Sequence, residues 1–163
     1  MTRNPAAFAI LGGGLTAGIF DITYAIVFSS FRGVTAIQVL QSVASGFFGM
    51  KAYDGGMPVA ILGLFLHFFI ALSWAAIFYV LSRRIQFLRE QAIISGLLYG
   101  VVIYAVMNLV VIPLSAYPHK VNFSPSRLAI NLFVHMFLIG LPIALAVRKA
   151  ANQRLAARLI SPL

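Results

Sequence analysis

Asp21, His67, Asn108 and His135 are strongly polar side chains set inside long apolar stretches of this 163-residue chain, and Asn131 stands one helical turn before His135. A carboxylate, two imidazoles and carboxamides can exchange protons, ligate iron or a metal ion, or tie helices together by hydrogen bonds. Counting along alternating up and down helices at ~1.5 Å per residue places Asp21, His67, Asn108 and His135 roughly 10–14 Å below one membrane surface. A single buried polar site made of Asp21, His67, Asn108, Asn131 and His135 is therefore expected. An ionised carboxylate near mid-membrane costs at least ~2.5 kcal/mol even on the insertion scale, so Asp21 must be neutral, paired or hydrated. His67 or His135 is its natural partner.

Three readings of this constellation stand side by side. In the first, Asp21 and the histidines form a protonatable site that couples proton occupancy to permeation or to a conformational change, with Asp21 as proton-binding or counter-charge group. In the second, the polar layer belongs to a structural or interaction subunit and only fixes helix register. In the third, His67 and His135 are axial ligands of a b-type haem, or with Asp21 hold a metal ion. No H-x-x-x-H or E-x-x-H spacing supports a local ligand set, so no cofactor and no metal are expected. An enzyme is not expected either, because there is no G-x-S-x-G turn and Asp54 and Glu90 fall in opposite loops, far from Asp21. Ser73 reads as a packing residue.

The elements that position these groups follow from composition: 61% hydrophobic and 9% charged residues, with a mean hydropathy of +0.98, describe an integral membrane protein. The absence of cysteine excludes disulfides, thiolate ligands and cysteine nucleophiles. Four spans are expected at about 6–30, 57–82, 92–116 and 126–147, in a single domain covering 1–163. Asn4-Pro5, Pro58 and Ser124-Pro125 supply helix starts, since proline lacks the donor that a first helical position leaves unpaired. The first apolar run is too long for a signal-peptide core and reads as an uncleaved span.

Gly14 and Gly18 share a face with Asp21, Gly63 lies with His67, and Gly96 and Gly100 form a row with Asn108. Small-residue faces let membrane helices approach, so these glycines are expected to pack the helices and keep the polar residues internal. Gly12-Gly13-Gly14 lacks the lysine and hydroxyl residue of a phosphate-binding loop and reads as packing.

Basic residues flank the spans rather than forming a nucleic-acid surface, although the formal charge is +9. Arg3, Arg83, Arg84, Arg89, Arg148, Lys149, Arg154 and Arg158 share one side; Arg32, Lys51, Lys120 and Arg127 share the other. Both termini are therefore expected in the cytoplasm of a cell whose inner membrane holds the protein. The basic tail over 148–163, carrying Arg148, Lys149, Arg154 and Arg158 among apolar residues, is expected to rest on anionic lipids of that face. The bilayer and its anionic lipids are the expected partners, nucleic acid is not one, and a homo-oligomer stays open. In the first outer loop, Thr35, Gln38, Ser42 and Ser45 oppose Ile37, Leu40, Ala44 and Phe47, which predicts a short helix over about 34–48, in the interface or as a lid on the bundle.

Several strings also carry a resemblance: Gly14-x-x-x-Gly18-x-x-Asp21, Leu66-His67-Phe68-Phe69 with Trp74 and Tyr79, Gly96-Leu97-Leu98-Tyr99-Gly100 with Pro113-Leu114 and Pro118, and His135 before Arg148. From the second span onward the pattern resembles the YagU-like family of small, uncharacterised bacterial inner-membrane proteins. The chain departs from that family in a shorter first outer region and in Asn108. The resemblance implies fold and location and brings no activity with it. The expected fold is an all-α membrane protein, with four transmembrane helices in an up-down bundle and a short interfacial helix in the first outer loop.

Overall fold

Backbone polar groups away from water must be paired within their own segment, and long apolar helices meet that demand. The structure, a computed structural model, describes residues 4–119 and 124–160, with side chains through Ala156. Arg3 and Lys120 therefore lie outside the described residues, as does the side chain of Arg158. Helix α1 spans Pro5–Ser30, α3 Gly56–Arg84, α5 Ala92–Leu114 and α6 Pro125–Ala156; all four are long and apolar enough to cross a membrane. The short helices α2, Ala36–Phe48, and α4, Phe87–Glu90, lie between them, and no strand occurs among the described residues. The chain is a multi-pass membrane protein.

Local chemistry explains the boundaries. The Asn4 side chain accepts from the Ala6 N–H at 3.0 Å, with Pro5 in the first turn of α1. A reciprocal capping box opens α2: Gln38 Oε1 accepts from the Thr35 N–H at 2.9 Å, and the Thr35 hydroxyl oxygen accepts from the Gln38 N–H at 3.3 Å. Gly56 begins α3 with φ of 57°, a conformation that disfavours any side chain. The first three expected spans agree with the helices to within two residues. Past Val147, however, α6 does not break: its helical backbone runs on to Ile160. Residues 148–160, expected as part of a separate tail, continue the helix of the fourth span.

Packing is inverted relative to a soluble bundle. Ala9, Ala17, Ala60, Ala75 and Ala144 are fully buried, whereas Ile61, Phe65, Phe69, Leu109 and Phe133 each leave more than half of their surface exposed. Hydrocarbon tails solvate large apolar side chains as well as a core does, so small residues take the contact faces. Gly96 and Gly100 lie against the backbone of Gly140–Leu141 and of His135–Met136, which brings α5 and α6 together. On α1, Gly13 faces Ile143 of α6, while Gly14 and Gly18 face Leu72 and Phe68 of α3. A cluster including Phe78, Tyr99, Ile143 and Val147 fills the half of the bundle nearer the arginines. There the Tyr99 hydroxyl donates to the Trp74 carbonyl at 2.8 Å, joining α5 to α3.

Helix α2 is seated on the spans rather than free of them. Gly63 of α3 admits the Leu40 carbonyl of α2 into direct contact, and a Cβ there would collide with it. Gln41 Nε2 donates to the Gly56 carbonyl at 3.0 Å, and the Ala116 N–H donates to the Gly46 carbonyl at 2.8 Å. The buried face carries Val39, Gln41, Ala44 and Ser45, while Ile37 and Phe47 are exposed. Of the apolar stripe named above, its largest member therefore points outward.

Candidate functional site

Each expected polar residue has a definite local environment, and in three cases the partner is a backbone carbonyl. His67, half-buried on α3, places Nε2 2.9 Å from the Gly18 carbonyl oxygen of α1. A carbonyl only accepts, so Nε2 carries the proton and Nδ1 is left as the open acceptor of the neutral ring. Such a bond requires Gly18 itself: its missing side chain lets Phe68, the neighbour of His67, approach to 2.9 Å of the position a Cβ would take. Residue type, small-residue face and interhelical hydrogen bond here form one causal chain.

His135 is held differently. Its Nδ1 donates to the Asn131 carbonyl of its own helix at 2.8 Å, leaving Nε2 open, and its ring meets Tyr104 of α5 edge to face with centroids 5.2 Å apart. One turn on from Tyr104, Asn108 Nδ2 donates back to the Tyr104 carbonyl at 2.8 Å. Asn131 thus enters through its main chain, not its carboxamide. Tyr104 links Asn108 to His135, and no hydrogen bond joins any two of the side chains of Asp21, His67, Asn108, Asn131 and His135 among the described residues.

Asp21 is half-buried and has no hydrogen bond or ion pair among the described residues. It lies one turn beyond Gly18 on α1, the helix that receives the His67 bond. Three residues further, the Tyr24 hydroxyl is buried without a partner. Two unpaired polar groups within one turn of a membrane helix are costly, since a buried donor or acceptor left unmade forfeits about 1–3 kcal/mol. Tyr24 was not singled out by sequence reasoning, because tyrosine in a span reads first as packing.

The helices carrying the site are also irregular. In α5 the residues Met107–Val111, and in α6 the residues His135–Gly140, wind as π-helix. Pro113 and Pro142 each follow two residues later and cannot donate to the carbonyl four positions back, so the preceding turn widens. Asn108 lies inside one π segment and His135 begins the other; such segments recur at functional sites. A third, Phe8–Gly12, ends on the first residue of the glycine run of α1 and has no such proline. The two prolines were the available sequence signal.

Among the described residues no three His, Asp or Glu side chains gather closely enough to hold a metal ion. The Ser73 hydroxyl donates to the Phe69 carbonyl in its own helix at 2.7 Å. No family model, curated protein or solved structure matches this chain.

Proposed function

We propose that this chain is a proton-sensitive protein of the bacterial inner membrane, with four spans running up and down, both termini in the cytoplasm, and α2 at the outer interface. The observation that carries the proposal is the His67–Gly18 bond between α3 and α1, with Asp21 left unpaired one turn away. Protonation at the open Nδ1 creates an imidazolium whose second N–H requires an acceptor. Asp21 is the only acidic side chain within the four spans, and it lies on the helix to which His67 is already bonded. Charging His67 therefore draws it toward Asp21 and shifts α3 against α1, coupling proton occupancy to a rearrangement that permits solute or ion passage. Membership of the YagU-like family belongs to the same proposal and rests on the residue strings alone.

A structural reading competes for the other half of the layer, because His135 and Asn108 both donate to carbonyls of their own helices. Such bonds satisfy polar groups without moving anything. Proteoliposomes loaded with a pH-sensitive dye separate the two readings. Wild type is expected to give a pH-dependent flux that Asp21→Asn and His67→Ala each reduce by at least about tenfold while remaining folded. If wild type gives no flux under any imposed gradient, or all three proteins match, the polar layer only sets helix register. A Soret absorption band in the purified protein would replace the proposal with haem ligation by His67 and His135.

A further inference from the structure

We propose that the cavity where α3, α4 and α6 meet binds the phosphate of an anionic phospholipid. This cavity, about 250 Å³, is lined by Arg83 of α3, Arg89 of α4 and Arg154 of α6, together with Tyr79 and Leu155. Its lining contains no acidic residue. Glu90, next to Arg89, is engaged by the Gln86 carboxamide instead, and no carboxylate pairs with the three arginines among the described residues. Three like charges around one cavity repel one another, and an oxyanion at the centre reverses the sign of that interaction. Guanidinium groups suit the task because their planar forks match phosphate oxygens and are weakly hydrated.

A second observation points the same way. The Tyr79 hydroxyl is buried without a hydrogen-bond partner, and the Arg154 guanidinium lies 5.9 Å from the centre of the Tyr79 ring. A donor left unpaired on a residue that lines a cationic cavity favours an acceptor that the protein does not itself supply.

The same chemistry would accept a free phosphate, and position favours the lipid. Arg83 and Arg84 are the last residues of α3, at the level where a bilayer places its headgroups. A second, more open depression shares Tyr79 and Arg83 and adds Val80 and Arg84. Val80 is itself exposed, as are Ile77 and Leu81 on the same helix, and together they offer an apolar surface that can seat an acyl chain. Basic pockets between membrane helices bind anionic headgroups by this combination of charge above and hydrocarbon below.

This inference rests on the membrane-surface part of the proposed function and is independent of the polar layer, so its failure would leave the flux experiment untouched. The test measures binding to the purified full chain in neutral detergent, by native mass spectrometry. Phosphatidylglycerol should bind at least about tenfold more tightly than phosphatidylcholine, whose phosphate is offset by its own cation. Replacing Arg83, Arg89 and Arg154 together by Gln should weaken phosphatidylglycerol binding at least about tenfold, whereas replacing Arg32, Lys51 and Arg127 by Gln removes equal charge and should change it less than about twofold. Tyr79→Phe should weaken binding about threefold without lowering lipid-free thermal stability, because its hydroxyl has no protein partner to lose. Should the triple pocket variant fail to fold, Arg89→Gln alone, at a half-buried position, is expected to weaken binding about threefold and decides the matter. Equal binding of the two lipids, or equal losses in the two triple variants, would overturn the proposal. Displacement of phosphatidylglycerol by millimolar inorganic phosphate would make the soluble anion the ligand and overturn the lipid assignment.

Discussion

Tyr117 follows the end of α5, outside the spans, and its ring meets His119 with centroids 5.6 Å apart, while Tyr53 meets the same histidine from the other loop at 6.0 Å. Burial, and secondarily the neighbouring phenol of Tyr53, push the Tyr117 hydroxyl above its ordinary value of 10.0. A raised value in the folded state means that its contribution to stability is fully present below the unfolded value and is lost as pH rises through the folded one. Thermal midpoints in detergent should therefore fall as pH rises past about 10, and Tyr117→Phe should flatten that decline. An unchanged slope in the variant would remove Tyr117 as a cause. The same scale shows what residue types reveal and what they hide. Asp21, His67, Asn108 and His135 were identifiable by their polarity alone, but the partners of His67 and His135 are carbonyls. Every residue carries a carbonyl, so no pattern of side chains marks Gly18 or Asn131 as the acceptor.

Helix α2 shows where periodicity was informative and where it misled. Its existence follows from the capping box of Thr35 and Gln38 and from the spacing of its stripe, and it runs from Ala36 to Phe48. Its orientation was obscured because a membrane inverts the usual rule: Ala44 and Ser45 are buried against the spans, while Phe47 is 72% exposed. Gly63 carried the hidden signal, since a glycine on the His67 face of α3 marks a close approach without naming the helix that makes it. Leu40 of α2 fills that place through its carbonyl oxygen. Gly63→Leu should force α2 off α3, at a cost of about 1–3 kcal/mol from overpacking. The loop over 31–55 should then become sensitive to protease. Gly12→Leu is the control, because nothing lies within 4 Å of the Cβ it would carry. Stability and protease resistance equal to wild type in the Gly63 variant would show that α2 is not held by this contact.

At the scale of the whole molecule, hydropathy alone specified four spans, and the distribution of charge specifies which ends belong together. Lys149 of α6 lies 5.6 Å from the centre of the Phe8 ring at the start of α1, and Arg154 of α6 lies over Tyr79 near the end of α3. These contacts gather the start of the first span with the ends of the second and fourth, where the sequence also concentrates its arginines. The continuous run of α6 to Ile160 was not legible, because the switch from apolar to basic residues after Val147 looks the same whether the helix bends onto a surface or continues straight. Positively charged segments resist translocation, and on that ground the proposed orientation puts the arginine-rich end in the cytoplasm. The chain contains no cysteine, so single cysteines report topology without background. Gln86→Cys and His119→Cys are suitable positions, because both wild-type residues are exposed, lie outside the four spans and occupy loops at opposite ends of α5. A membrane-impermeant thiol reagent applied to intact cells should label His119→Cys and spare Gln86→Cys until the membrane is opened. Labelling of Gln86→Cys alone would reverse the orientation, place the arginine cavity on the outer face, and move Asp21 and His67 to the cytoplasmic half of the membrane.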